Sequence, residues 1–245
     1  MSMVYQNAAS PQVAARIAGL LYLVIIGAGM FAEFFVRSEL IAAGDAAATA
    51  ANVIAAEGLF RAGIAADLLM IVSDIIVGLI FYVLLRPISQ TLALLAALFR
   101  LAQAAILGIN LLNLFIGLEL AQPTGAAAAL GADQAQALAL VFFQAHGVGY
   151  ALALVFFGIY LFLIGFLILR SGVIPRLLGG LLMLAAAGYL VDSFAQVLLV
   201  NYSAYAPILT NVVLLPAFTA ELLLALWLLL RGVGSRRPQP AVVAA

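Results

Sequence analysis

No cysteine and no lysine occur among the 245 residues, and histidine and tryptophan appear once each. Without cysteine there is no disulfide, no thiolate nucleophile and no thiolate-held metal or iron–sulfur cluster. Without lysine there is no Schiff-base chemistry, and all ten basic side chains are arginine. The lone His146 excludes a bis-histidine haem. Zinc normally takes three or four ligands with His or Cys prominent, so His146 would need carboxylates such as Asp67, Asp192 or Glu221 to complete a site. No metal and no cofactor is therefore expected. HExxH and Gly-rich nucleotide loops are absent. Ser73 stands beside Asp74, but neighbours along a helix point apart and make no Ser-His-Asp arrangement.

Charge is scarce as well. Only 8% of residues are charged, ten acids balance ten bases, and the formal net charge is zero. Soluble domains carry about 25% charged residues, and a neutral balance offers nucleic acid no basic surface. What fills the chain is apolar, at 67% of residues, with a mean hydropathy of +1.26. That composition makes a bilayer the main solvent and membrane lipids the first partners.

An apolar helix of roughly 20 residues spans the hydrocarbon core, and six such runs are present. The opening MSMVYQNAASPQVAARIAG has Arg16 as its one charge and leads into a run too long for a cleaved leader, so a retained first span is expected. The runs cover residues 17–36, 62–85, 92–118, 137–169, 177–200 and 212–230. Residues 40–60 read as a non-cytoplasmic loop holding a short surface helix. Arg86-Pro87 stops the second run, QPTGAAAALGADQ punctuates the third, and SGVIPR makes a tight return after the fourth. The fourth run is longer than a perpendicular crossing, which implies tilt or protrusion. NYSAYAPILTN reads as a loop bearing interfacial Tyr202 and Tyr205, with Pro216 starting or kinking the sixth span. The fold class is therefore an all-α six-span bundle, one transmembrane domain over residues 1–234 with a flexible tail over 235–245.

Arginine placement sets the direction. A cytoplasmic N-terminus puts Arg16, Arg86, Arg170, Arg176, Arg231, Arg236 and Arg237 on that side, and leaves Arg37 and Arg61 on the other. Six spans return both termini to the cytoplasm, and the tail with them. Glycines at 147, 149, 158, 165, 179, 180 and 188 read as close-packing positions between helices.

The informative residues are the polar ones at depth. ALLAALFRLAQAAILGIN, residues 93–110, carries Arg100 near its middle, with Gln103 and Asn110 continuing its face at helical spacing. Asp67 and Asp74 share one stripe of the second span. His146 and Tyr150 lie one turn apart on the fourth, Tyr189, Asp192 and Gln196 share a stripe of the fifth, and Glu221 is central on the sixth. A charge at mid-bilayer costs about 2.5–3.5 kcal/mol on insertion scales, so these groups are expected to converge inside the bundle. Arginine does not escape by losing its proton. Asp74 is its expected partner by depth, with Glu221 second. Asp67, Asp74, Asp192 and Glu221 then outnumber Arg100, an excess of acids suited to proton coupling or acid–base work. The plainer alternative is a structural network that fixes helix register, with His146 as a core hydrogen-bonding residue.

RIAGLLYL, LFRAGIAADLLMIVSDIIVGLIFYVLLRP, LALLAALFRLAQAAILGIN, AHGVGYALALVFFGIYLFLIGFLILRSGVIPRLLG and GYLVDSF together resemble the bacterial DUF4386 family of multi-pass membrane proteins. The resemblance covers nearly the whole chain outside the extreme N-terminus and the tail. It implies a recurrent polar pattern at Arg61, Asp67, Asp74, Arg86-Pro87, Arg100, Gln103, His146, Gly147, Tyr150, Arg170-Ser171-Gly172, Pro175, Gly188-Tyr189 and Asp192-Ser193-Phe194. It implies a bacterial inner-membrane location but no activity.

Three functions fit these residues. The first is a carrier or ligand-binding protein, proton-coupled or not, whose small or lipid-like ligand meets Asp67, Asp74, Arg100, Gln103, Asn110, His146, Tyr150, Tyr189, Asp192 and Glu221. As a carrier, six spans in one subunit would call for a homodimer. The second is an intramembrane enzyme acting on a lipid or isoprenoid-like substrate, with His146, Asp192 and Arg100 as catalytic candidates. The third is a structural or signalling protein without turnover.

Overall fold

The computed structural model describes residues 10–122 and 125–234; the expected tail at 235–245 lies outside them. Local chemistry sets the helix starts. The Ser10 hydroxyl accepts from the Val13 N–H at 3.3 Å and caps α1, Pro11–Met30, with Pro11 in a first turn that needs no donor there. The helix continues as a π-helical stretch, Phe31–Arg37, and a final turn, α2, Ser38–Leu40. Asp45 caps the short α3, Ala46–Ala55, by accepting from the Ala48 N–H at 2.9 Å. Then come α4, Glu57–Leu85, and α5, Gln90–Ala121, the latter capped by Ser89. A 3₁₀ turn at Gly125–Ala129 leads to α6, Ala132–Ser171, which ends where Gly172 takes φ 68. After Pro175 follow α7, Arg176–Leu198, and α8, Tyr202–Leu230.

Six of the described stretches are long and apolar enough to cross a membrane. The second begins at Glu57 and the fourth runs over Ala132–Ser171, so both helices extend beyond the apolar runs themselves. The expected loop at residues 201–211 is instead helical, and α8 runs through Pro216 without restarting. A proline removes one helical hydrogen bond. Unwinding the chain near lipid would leave several backbone groups unpaired, which costs more.

The helices form a closed ring in chain order: α1 packs on α4, α4 on α5, α5 on α6, α6 on α7, α7 on α8, and α8 back on α1. Small residues set the closest approaches. A Cβ on Gly165 would meet the Gly179 carbonyl oxygen at 2.7 Å, and one on Gly19 would meet the Leu229 nitrogen at 2.5 Å, so α6–α7 and α1–α8 touch at backbone. The two described ends meet as well: Gln12 donates to the Arg231 carbonyl at 2.8 Å and accepts from the Val233 N–H at 3.1 Å.

Two apolar cores divide the ring along its axis. Near the joined ends, a core containing Tyr22, Phe81, Ala96, Leu161, Leu182 and Leu224 draws on all six long helices and fills the ring. Toward the other end a second core, with Val53, Phe60, Leu114 and Phe143, draws on α3, α4, α5, α6 and the end of the first span, but on neither α7 nor α8. Space opens where the cores part.

Candidate functional site

That space is a cavity of about 570 Å³, walled by all six long helices. The first span contributes Ile25, Glu33 and Arg37, α4 Met70 and Asp74, α5 Arg100 and Gln103, α6 His146 and Leu154, α7 Tyr189, and α8 Phe218 and Glu221. Met30, Glu33, Phe34 and Ser38, in and beside the π-helical stretch, and Gly147 of α6 are exposed residues of its lining. Stretches of π-helix re-aim side chains and recur at functional sites.

Arg100 is 1% exposed and points inward. Its Nη2 pairs with Asp74 Oδ1, while Asp74 Oδ2 accepts from Gln103 Nε2 at 3.1 Å. The guanidinium carbon lies 4.6 Å from the Tyr160 ring centroid, 4.8 Å from Phe157 and 5.5 Å from Tyr22. Desolvated cation–π contacts of this kind contribute about 2 kcal/mol or more. Gly78 admits the side chain, since a Cβ there would meet Arg100 Cγ at 3.1 Å. The pairing expected from depth is therefore present, with three aromatic rings that the sequence reading did not identify.

Arg37 corrects that reading. Placed outside the first span by sequence, it is buried: its Nε bonds Glu33 Oε2 at 2.8 Å and its Nη1 bonds Asp67 Oδ2 at 2.5 Å. The first span runs on to Leu40, and the π-helical stretch keeps Arg37 inside. Asp67 is thus tied to α1 and Asp74 to α5, so α4 supplies one acid to the arginine of each neighbour. The signal available in the sequence was Glu33 four residues before Arg37, a spacing that pairs side chains on one helix face.

Asn110 does not line the cavity but orients a residue that does. Its Nδ2 donates to the His146 carbonyl at 2.8 Å and contacts His146 Nδ1 at 3.1 Å, while its Oδ1 accepts from Asn113 Nδ2 at 2.9 Å. A carbonyl only accepts, so the Asn110 nitrogen faces His146. His146 Nδ1 also lies 3.4 Å from the Asn110 carbonyl oxygen, so the Asn110 amide and backbone together hold the ring. Its Nε2 has no partner among the described residues. Tyr150, one turn on, donates to Met70 Sδ at 3.9 Å.

Glu221 accepts from the Tyr189 hydroxyl at 2.8 Å through Oε1 and pairs with no arginine among the described residues. Asp192 lies apart from the cavity and accepts from Gln196 at 3.2 Å and Tyr202 at 2.8 Å. Asp67 stands behind Arg37 rather than on the wall. Of the ten expected site residues, seven line the cavity: Asp74, Arg100, Gln103, His146, Tyr150, Tyr189 and Glu221. No cluster of three or more His, Asp or Glu residues able to hold a metal occurs among the described residues.

The chain is 32% identical over 164 residues to an uncharacterized protein of Archaeoglobus fulgidus, a match covering 67% of this chain and 80% of that protein. An archaeal relative means that the similarity is not confined to bacteria. No solved structure matches the chain. Residues 17–232, which reach into all six long helices and include every wall of the cavity, match the family described as "Domain of unknown function (DUF4386)". The chain belongs to this DUF4386 family of multi-pass membrane proteins.

Proposed function

We propose that the protein binds a small apolar or amphipathic ligand in the ring cavity, as a binding protein or as the ligand-loaded state of a carrier. The observation that carries this reading is the convergence of side chains from all six helices on one cavity of about 570 Å³. Pockets for small molecules run about 300–1,000 Å³, mostly apolar with a few convergent polar groups. Glu221 offers an acceptor on these walls, and His146 adds a second polar side chain to them. The filled core at the joined ends supports access from the other side, the non-cytoplasmic one under the arginine bias. In a proton-coupled carrier, Glu221 is the carboxylate free to exchange a proton with cargo.

An intramembrane enzyme is the second reading, favoured by the lone histidine, His146, in the cavity lining. His146 and Arg100 remain its candidate groups, whereas Asp192 is absent from the cavity lining. A purely structural network is disfavoured because its polar side chains line an open cavity rather than a closed core.

Native mass spectrometry of gently extracted protein tests the proposal. A discrete small-molecule adduct, diminished in Leu154→Trp, which puts a bulkier side chain on the cavity wall, is the expected result. Bare protein, or an adduct indifferent to Leu154→Trp, would overturn it.

A further inference from the structure

The charges around the cavity do not cancel. Glu33, Asp67, Asp74 and Glu221 face only Arg37 and Arg100, and both arginines are already taken: Arg37 by Glu33 and Asp67, Arg100 by Asp74. No arginine on the wall is left over for an anionic ligand. Glu221 is the wall carboxylate with no ion pair among the described residues. It is 6% exposed, and among the described residues only its Oε1 is engaged, by the Tyr189 hydroxyl. Aromatic surface surrounds it. Phe218 stands three residues earlier on the same face of α8, and the Tyr189 ring meets Phe157 edge-on at 5.2 Å between centroids. A carboxylate among aromatic rings in an apolar chamber has the chemistry that recognises organic cations, whose charge is attracted by ring faces.

We propose that the ligand is an amphipathic organic monocation. Its ammonium group sits on the free oxygen of Glu221 against Tyr189 and Phe218, and its apolar part lies along Ile25, Met70 and Leu154. This deepens the ligand-binding reading and rests on it. A phosphate beside the ammonium, as in a zwitterionic lipid headgroup, is disfavoured because both wall arginines are already paired. The occupant is therefore a free amine rather than a phospholipid.

Isothermal titration of the protein in phosphatidylcholine nanodiscs, blanked against empty discs, tests this with three probes that share a phenylalkyl chain: 4-phenylbutylammonium, 4-phenylbutanol and 4-phenylbutanoate. The ammonium is expected to bind at least about tenfold tighter than the alcohol, and the carboxylate weakest. Glu221→Gln keeps an oxygen for the Tyr189 hydroxyl, and is expected to abolish the preference for ammonium over alcohol. Lysophosphatidylcholine is expected to bind more weakly than the ammonium probe, and tighter binding would overturn the free-amine assignment. Saturable alcohol binding without an ammonium preference, or a preference that survives Glu221→Gln, would overturn the cation proposal and leave the cavity reading standing. No saturable binding of any of the three would defeat both.

Discussion

Arg100 is held by two kinds of neighbour, one carboxylate and three aromatic rings, and they are not interchangeable. The rings lower the cost of desolvating the guanidinium, but Asp74 alone cancels its charge. Removing one partner of a buried pair leaves the other uncompensated and costs about 3–5 kcal/mol. Asp74→Asn and Arg100→Gln should therefore each lower unfolding stability in detergent by several kcal/mol, and the double variant should lose much less than their sum. Additive losses would contradict the pairing. This pair was legible because residues 74 and 100 fall at matching depth when the helical rise is counted from each span end. Arg37 was not, because the same count ended the first span at residue 36 and put the next side chain in water. The rings were not legible either: Tyr22 and Tyr160 sit in apolar runs where an aromatic residue gives no sign of its neighbour.

At the scale of helices, backbone contact decides which glycines matter. A Cβ on Gly165 would lie 2.7 Å from the Gly179 carbonyl oxygen and 2.8 Å from Met183 Cγ, whereas one on Gly180 meets nothing within 4 Å. Gly165→Ala should force α6 and α7 apart and lower the melting temperature. Gly180→Ala should be neutral or stabilising by up to about 1 kcal/mol, the helix propensity gained over glycine. Thermal unfolding of the two variants side by side checks this, and a stabilised Gly165→Ala would contradict the contact. Sequence grouped these glycines together, since only the partner helix distinguishes them. The spans themselves were legible from apolar length. The start of α8 was not, because proline and polar residues at 201–211 carry the signature of a loop while the cost of unpaired backbone near lipid favours a helix.

For the whole molecule, the cavity follows from how two apolar cores share one ring. The core near the joined ends uses every long helix, and the other omits α7 and α8, leaving the space between them unfilled. Sequence showed that charges should converge; it could not show a void, whose walls come from six segments distant along the chain. The absence of cysteine makes this directly measurable, because any introduced thiol is unique. Single cysteines at the wall positions Met70 and Leu154, and at the core position Ala185, would be exposed to a small membrane-impermeant thiol reagent, in intact cells and in inverted vesicles. The account predicts labelling at Met70→Cys and Leu154→Cys from the outside of intact cells, with Ala185→Cys unreactive in both preparations. Labelling only in inverted vesicles would reverse the proposed orientation. Wall cysteines as inert as Ala185→Cys in both preparations would contradict an accessible interior cavity.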